Sequence, residues 1–293
     1  MATDWPDYEL IDFGDNRRLE RFAGFVVDRP CPQADRPRQA PSRWREAAAR
    51  YDGARAADGD WRPRSAERSG PFECRVPLGD SLQIAMAIRP TPAGQVGLFP
   101  EQLECWRWIA GRVKRIAATR PDEPPRLLNL FAYTGGSTLA AAAAGAAVTH
   151  VDASKPSVQT ARDNAKLSGL AEAPIRWIVE DAVRYCQREV RRGSRYDLVV
   201  LDPPTYGHGP GGSAWRIDRD LPGLLELCAE LAGGVGQGFL ATCHTPGVGP
   251  AELTAYLSDA VIGHCGQPPR AGELLLSTAD NRKLRSGVWA RWP

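Results

Sequence analysis

The chain has 293 residues, 43% of them hydrophobic, and can therefore bury one large core or two unequal ones. A formal net charge of +2 is too small to indicate a nucleic-acid partner by itself. Seven scattered cysteines without a C-x-x-C pair argue against a zinc site or a disulfide framework, so no metal is expected. Because no run of about 18 apolar residues occurs, we expect a soluble, reduced, cytoplasmic protein that does not enter a membrane.

The first part of the chain is predicted to form a small β-rich module. Residues 8–13 read as a strand, residues 14–16 as a turn and residues 19–27 as the returning strand of an antiparallel hairpin. A second hairpin is predicted over residues 72–88, where apolar and polar residues alternate. The Pro- and Gly-rich segment 90–94 marks a boundary. We therefore expect two domains, residues 1–92 and residues 93–293.

The segment between residues 36 and 70 contains nine arginines and five acidic residues, with Trp44 and Trp61 among them. One interpretation is an RNA-contacting surface, on which arginines bind phosphates and tryptophans stack on bases. The other is a solvated segment whose tryptophans pack back onto the module. We favour the second interpretation.

A strand, a tight glycine turn and a helix are predicted in succession after residue 126. The apolar strand 127–132 breaks at Thr134, Gly135 and Gly136, and an Ala-rich helix follows over residues 139–144. A glycine turn of this kind lets the backbone approach a bound ligand closely. We expect both glycines to be required because a Cβ atom there would collide with a nucleoside.

The next strand, 147–152, ends at Asp152, which lies 17 residues after Gly135. At roughly 20 residues from the glycine turn, an acidic residue accepts hydrogen bonds from ribose hydroxyls. The dinucleotide motif G-x-G-x-x-G is absent because Ala140 occupies the third glycine position, and no G-K-[ST] sequence indicates a P-loop. These residues predict a nucleoside without phosphates, such as S-adenosylmethionine, rather than NAD.

Strands and helices alternate through the rest of the chain, which predicts a parallel sheet covered by helices. Each predicted strand delivers polar residues at its carboxyl end, where open α/β sheets bind ligands. Asp181 suits the adenine amino group, and it also suits the N-cap of the following helix. The predicted elements are helices 103–117, 154–167 and 221–232, strands 175–179, 196–201 and 237–242, and a terminal hairpin of segments 273–278 and 288–292.

The sequence Asp-Pro-Pro-Thr-Tyr at residues 202–206 follows a predicted buried strand. The prolines stiffen this turn, and Tyr206 can stack on an extruded base. A purely structural turn is the alternative. The Gly-rich segment 207–216 follows and is expected to order over the substrate, where His208 and Arg216 contact phosphate unless they are simple loop residues.

Three motifs in order, NLFAYTGG at residues 129–136, VDAS at 151–154 and DPPTY at 202–206, resemble the class I methyltransferases that include bacterial 23S rRNA large-subunit methyltransferases. The resemblance covers residues 95–293 and includes both the cytosine-C5 and the guanine-N7 enzymes of that group. It implies a Rossmann-like, doubly wound α/β sheet with an antiparallel terminal hairpin, next to the small N-terminal β module.

The resemblance also implies roles for individual residues. Gln102 is expected to cap the cofactor, because residues 97–102 are similar to a Gly-Phe-Phe-x-Asp-Gln segment of the family. The predicted substrate-binding residues are Pro203, Pro204, Tyr206, His208 and Arg216. The predicted cofactor-binding residues are Gln102, Phe131, Tyr133, Thr134, Gly135, Gly136, Asp152, Ala153, Ser154, Asp181, Ala182 and Asp202.

Cys243 stands at the end of a predicted strand, where the cytosine-C5 enzymes carry a nucleophilic cysteine between two serines. Here Thr242 and His244 flank it, so a small apolar filler is the alternative. As a nucleophile, Cys243 would be partly exposed, its thiol would ionise readily, and His244 would face away from the site. Asp202 would hold the base edge.

We therefore expect an S-adenosylmethionine-dependent methyltransferase that acts on an RNA base, with cytosine C5 of rRNA favoured. Three alternatives remain. They are a nitrogen methyltransferase acting on guanine N7 or an amino group without covalent catalysis, a methyltransferase of a small molecule or protein, and a non-catalytic cofactor-binding module.

Overall fold

A computed structural model of the chain describes residues 5–54, 58–63, 72–208, 214–232, 238–261 and 268–292, with the side chains of His208 and Val261 outside the description. The chain divides into two compact units. The first comprises Met1–Leu103 and Leu275–Ser286, and the second comprises Glu104–Leu274 and Gly287–Pro293. Within the described residues, no helix is both long enough and apolar enough to cross a bilayer.

The first unit contains a small sheet whose strands follow one another in chain order. Strands β1 to β3 form an antiparallel meander, and β4 joins β3 in parallel. A separate antiparallel pair, β6 and β7, confirms the second predicted hairpin. The strands are β1 (Tyr8–Gly14), β2 (Arg17–Phe22), β3 (Phe25–Pro30), β4 (Ala49–Tyr51), β5 (Trp61–Pro63), β6 (Phe72–Gly79) and β7 (Leu82–Ile88).

The first predicted hairpin is wrong in one respect, because its returning strand is two strands. Ala23 and Gly24 have φ values of 45° and 87°, so the chain reverses between β2 and β3. Trp44 is buried, and its Nε1 donates a hydrogen bond to Asp12 Oδ2 at 2.8 Å. This tryptophan therefore packs back onto its own unit, as the favoured interpretation of its segment predicts.

Charged side chains lie inside the first unit. Glu20 is fully buried and accepts hydrogen bonds from Tyr8 Oη at 2.9 Å and from Arg29 Nε at 2.6 Å. Arg18 Nε lies 3.2 Å from the same carboxylate. The Glu20 carboxylate therefore has two cationic neighbours, which offset the cost of burying its charge.

Residues 275–286 belong to the first unit, although the sequence places them with the catalytic domain. Arg282 Nη2 donates to Asp12 Oδ1 at 2.8 Å, and Leu10 forms a parallel β-bridge with Thr278. These contacts join segments that are 270 residues apart, and hydrophobic patterning along the sequence does not reveal such a pairing. The predicted boundary at residue 92, between an N-terminal module and a catalytic domain, stays a prediction.

The second unit is built on a sheet with strand order β10-β9-β8-β11-β14-β16-β15 in the described part of the chain. Neighbouring strands from β10 to β14 are parallel, and β16 runs antiparallel beside β14. This is the doubly wound, Rossmann-like α/β sheet with a terminal hairpin that the sequence predicts. The strands of this sheet are β8 (Arg126–Leu130), β9 (Ala147–Asp152), β10 (Ile175–Val179), β11 (Leu198–Leu201), β14 (Gly238–Cys243), β15 (Arg270–Ser277) and β16 (Lys283–Trp292). A separate antiparallel pair is formed by β12 (Tyr206–His208) and β13 (Ala214–Arg216).

The helices of the second unit follow the predicted strand–helix alternation. Helix α3 starts after Ser154, which is its N-cap because its Oγ accepts from Ser157 N at 3.3 Å. Helix α5 starts at Ile217, earlier than predicted, and contains Pro222. The helices are α1 (Leu103–Thr119), α2 (Gly136–Ala143), α3 (Lys155–Leu167), α4 (Ala182–Arg191), α5 (Ile217–Leu231) and α6 (Pro250–Val261).

Candidate active site

The turn between β8 and α2 has an unusual backbone. Phe131 and Tyr133 have φ values of 53° and 46°, and Gly135 has a φ of 95°. Left-handed conformations at non-glycine residues carry strain and cluster at ligand sites. They also explain why β8 ends at Leu130, two residues before the predicted end. Gly136 is required for packing, since a Cβ atom there would lie 2.5 Å from the Trp106 ring. The expected clash with a nucleoside is thus not the reason for this glycine.

A buried network of hydrogen bonds holds this turn in place. Asn129 Nδ2 donates to Thr138 Oγ1 at 2.9 Å, and Thr138 Oγ1 lies 2.9 Å from His150 Nδ1. Burial lowers the pKa of His150 to about 3, so its imidazole stays neutral. Asn164 Nδ2 donates to Thr134 O at 2.9 Å and fixes the turn from α3. Sequence reasoning missed these residues, although Asn129 and His150 are polar residues inside apolar strands and were a signal for the network.

Asp152 lies directly beside the turn. Its Oδ2 accepts from Tyr133 N at 2.8 Å and its Oδ1 accepts from Ser154 N at 2.8 Å. A carboxylate has about four acceptor positions, so about two remain for ligand hydroxyls. Burial raises the pKa of Asp152, and the two backbone N–H groups only partly oppose this effect. The carboxylate is thus held in place with acceptor capacity to spare.

Asp181 caps α4, because its Oδ1 accepts from Arg184 N at 3.0 Å. The N-cap interpretation of Asp181 is therefore confirmed, and its contact with adenine stays a prediction. Ala182 is buried at the first position of α4, and Ala153 is half-buried between Asp152 and Ser154. Their predicted cofactor contacts also stay predictions.

Three polar side chains meet where β11 and β14 end. Thr242 Oγ1 donates to Asp202 Oδ1 at 2.6 Å. His244 Nε2 lies 3.5 Å from the same oxygen, and the side chains of His244 and Asp202 are each about one-third exposed. The expectation that His244 faces away is therefore wrong. Thr242 and His244 are two residues apart, so they point to the same face of the strand.

Cys243 lies on the opposite face of β14. It is 1% exposed and belongs to the apolar cluster that also contains Phe239 and Ala241. Burial raises the pKa of its thiol, although Thr245 N donates to Sγ at 3.5 Å. The expected partly exposed, readily ionised thiol is therefore wrong. Apolar and polar residues alternate towards the end of this strand, but the pattern alone does not decide which face α5 and α6 cover.

The Asp-Pro-Pro-Thr-Tyr turn is anchored on both sides. Trp215 Nε1 donates to Pro204 O at 2.7 Å, and Thr205 Oγ1 lies 2.8 Å from Thr245 Oγ1. Within this turn, Pro203 is buried. The Tyr206 ring is 69% exposed, which leaves its face available for stacking.

The remaining predicted residues have separate positions. Arg216 Nη2 forms an ion pair with Asp218 Oδ2 at 2.7 Å, so its charge is already compensated. Residues 209–213 of the predicted glycine loop and the His208 side chain lie outside the described residues. Gln102 is buried in the short 3-10 helix Pro100–Gln102 of the first unit. The roles of these residues stay predictions.

The second unit therefore fits a nucleoside cofactor. Asp152 supplies acceptors for hydroxyl groups, and the left-handed turn brings backbone beside it. Asp202 and His244 lie at the same carboxyl edge of the sheet, where α/β folds bind ligands. No cluster of side chains that could hold a metal ion occurs among the described residues. These features define the class of cofactor-binding α/β enzymes.

Comparisons with known proteins give the family. The sequence model of the S-adenosylmethionine-dependent methyltransferase family matches residues 91–260. The crystal structure of the SAM-dependent methyltransferase from Agrobacterium tumefaciens superposes with a TM-score of 0.89 at 34% identity, covering 99% of this chain and 91% of that one. The chain belongs to the S-adenosylmethionine-dependent methyltransferases, and S-adenosylmethionine is its cofactor.

Curated relatives are similar in sequence to part of this chain. Ribosomal RNA large subunit methyltransferase I of Aeromonas hydrophila is 36% identical over 178 residues, which cover 59% of this chain and 43% of the relative. Ribosomal RNA large subunit methyltransferase K/L of Syntrophotalea carbinolica is 38% identical over 133 residues, which cover 45% of this chain and 18% of the relative. The chain thus spans less than half the length of these relatives.

Proposed function

We propose that the protein methylates a nitrogen atom of a base in ribosomal RNA, without a covalent enzyme–base intermediate. The ribosomal RNA substrate is suggested by the relatives, which are ribosomal RNA large subunit methyltransferases. The nitrogen acceptor is favoured over cytosine C5 by one observation above all. The thiol that C5 chemistry requires is buried in the apolar core, whereas Asp202 and His244 stand at the open edge.

Chemistry at C5 requires a thiolate to add to the base and make the carbon nucleophilic. Cys243 is 1% exposed, and burial raises the pKa of its thiol, which disfavours the thiolate. A base nitrogen carries its own lone pair and needs no such activation. The nucleophile role of Cys243 is therefore not part of this proposal.

S-adenosylmethionine, when bound, supplies an electrophilic methyl group on a sulfonium. The protein has to align that group with the acceptor and to exclude competing water. We assign the ribose hydroxyls to Asp152 and the adenine amino group to Asp181, each as an acceptor. Phe131, Tyr133, Thr134, Gly135 and Gly136 would line the cofactor from the turn.

Asp202 would accept a hydrogen bond from an N–H group of the base, since its Oδ1 is already oriented by Thr242. His244 lies at the same oxygen and would fix the base edge on the other side. The exposed Tyr206 ring would stack on the base, supported by the rigid Pro203–Pro204 turn. An amino nitrogen would release one proton after transfer, which Asp202 can accept, whereas a ring N7 has none to release.

The deciding experiment is incubation with labelled S-adenosylmethionine and total bacterial RNA, followed by mass spectrometry of the nucleosides. We expect label in a nitrogen-methylated nucleoside. Label in 5-methylcytidine would refute the nitrogen acceptor. Label in protein or small molecules alone, or no transfer at all, would refute the RNA proposal.

A matched pair of variants tests the chemistry. Cys243→Ala should retain turnover to within about twofold, because the thiol does not face the acceptor. Cys186→Ala is the control, since this thiol is fully buried in the same apolar cluster. Loss of turnover in Cys243→Ala alone, together with covalent trapping of RNA containing 5-fluorocytosine, would establish the nucleophile instead.

A further inference from the structure

A basic and aromatic surface lies in the second unit beside the candidate active site. Arg291 on β16 is stacked between two tryptophans, with its guanidinium carbon 5.4 Å from the Trp108 ring centre and 4.4 Å from the Trp289 ring centre. Arg115 on α1 and Arg270 on β15 are both exposed. We call Trp108, Arg115, Arg270, Trp289 and Arg291 the α1–β16 surface.

The register of the sheet places these side chains on one face. Trp289 pairs with Thr242, so the two side chains share a face, and Arg291 pairs with Leu240 on that face. A Cβ atom on Gly272 would lie 2.8 Å from the Trp289 ring, so position 272 points the same way. Arg270 lies two residues before Gly272 on the same strand and therefore shares this face.

The same face leads to the candidate active site. Thr242, which is paired with Trp289, donates its hydroxyl to Asp202. The sheet register thus connects Arg291 and Trp289, through the buried Thr242, to Asp202. A polymer that presents a base at Asp202 would have its chain within reach of these side chains.

The arginines on this surface repel one another. No ion pair is found for Arg115, Arg270 or Arg291 among the residues that the structure describes, and the nearby Glu104 pairs with Arg107 at 3.0 Å. Burial lowers the pKa of Arg291, and Arg270 and Arg115 lower it further by repulsion, against an opposing effect of Cys105 and Glu104. A bound polyanion would relieve this repulsion.

We propose that the α1–β16 surface binds the phosphate backbone of the RNA whose base is methylated at Asp202. The inference rests on the proposed RNA substrate. Arginine stacked on tryptophan keeps its N–H edges directed outwards, which suits phosphate oxygens. This assigns phosphate binding to the catalytic unit itself, separately from the Arg- and Trp-rich segment of residues 36–70.

The test compares two double variants that each remove two exposed charges. Arg115→Gln/Arg270→Gln alters the α1–β16 surface. Arg191→Gln/Arg195→Gln is the matched control, because both of its arginines are exposed in the same unit and outside that surface. Binding of an in vitro transcribed bacterial 23S rRNA is measured over a range of salt concentrations, together with methyl transfer and cofactor affinity.

We expect the first variant to bind the transcript about fivefold to thirtyfold more weakly, with a salt slope reduced by about 1.4 to 2. The control should change affinity by less than about twofold, and both should bind cofactor like the wild type. Arg291→Met, which keeps an apolar stem between the tryptophans, should lower the slope by about 1.

Two failures are distinguishable. If the wild type neither binds nor methylates the transcript, the proposed function falls and the inference falls with it. If the wild type does both, but the two double variants behave alike, only the inference is overturned.

Discussion

Carboxylates in the two units have opposite electrostatic surroundings. Glu20 in the first unit is fully buried, yet its pKa is lowered, because Arg18 and Arg29 outweigh the effect of burial. Asp152 in the second unit has a raised pKa, because burial acts on it while backbone N–H groups oppose it only in part. The first carboxylate is compensated by cations and the second is not.

This difference in surroundings distinguishes carboxylates that stabilise the fold from carboxylates that can bind a ligand. A buried carboxylate whose oxygens are all paired within the protein has no acceptor position left for a ligand, and its pairing stabilises the fold. A held carboxylate with spare acceptor positions at a strand end is a site candidate. By this criterion Asp152 belongs to the candidate site and Glu20 belongs to the structure. Asp202 is placed in the candidate site by its partly exposed position beside His244.

The largest effect should come from Glu20→Gln. Removing this charge leaves Arg18 and Arg29 buried without their partner and should lower the free energy of unfolding by about 3–5 kcal/mol. Glu9→Gln is the control, since Glu9 forms a partly exposed pair with Arg21 at 2.7 Å and should cost less than about 1 kcal/mol. Urea unfolding followed by hydrogen exchange of β1–β3 measures both. Equal losses would break the distinction.

Acid should reveal the same pairing. Because the pKa of Glu20 is lower in the folded protein, its stabilisation is present above the unfolded value of about 4.3 and is lost as the pH falls through the folded value. The urea midpoint of the first unit should therefore drop more steeply with acid in the wild type than in Glu20→Gln. Parallel pH profiles would contradict the assignment.

Asp152→Ala tests the other side of the comparison. The loss of hydrogen bonds to a charged acceptor should weaken S-adenosylmethionine binding by about 1.5–3 kcal/mol, or tenfold to hundredfold. Calorimetry should detect no NAD binding in either protein. Glu172→Gln, which changes an exposed acid of the same unit, should bind the cofactor normally. Unchanged affinity in Asp152→Ala would remove this residue from the site.

The smallest expected effect concerns Thr242, a positioning residue for Asp202. Thr242→Val keeps the side-chain shape but removes the 2.6 Å hydrogen bond, and should lower kcat by about threefold to tenfold, or ~0.5–1.5 kcal/mol. Cofactor affinity should stay within about twofold, and Thr242→Ser should restore turnover. A variant that loses stability but keeps kcat would show that the hydroxyl serves only the fold.

Local patterns in the sequence predicted much of the second unit. Strands 147–152 and 175–179 have the predicted bounds, because both are short runs rich in β-branched or aromatic residues. The N-cap at Ser154 also follows from local chemistry. The glycines and the aspartate that follow predicted strands also indicated the candidate cofactor site, because such residues can be recognised from the sequence alone.

Other features depend on contacts that local patterns do not contain. The orientation of Cys243 is decided by α5 and α6, which pack against the Phe239, Ala241 and Cys243 face of β14. The left-handed turn at Phe131 and Tyr133 requires no glycine and therefore leaves no compositional signal. From the sequence alone, the arginines of β2 and β3 are expected to be exposed to solvent. Only the structure shows that they are buried around Glu20.

The contact between Arg282 and Asp12 has a consequence for synthesis of the protein. The first unit includes residues 275–286, so it cannot complete its contacts until residue 286 has left the ribosome. Domains that fold in order from the N-terminus avoid this delay. Here β1 can form its contacts with Thr278 and Arg282 only after α1 to α6 have been made, and the nascent chain lacks these contacts until then.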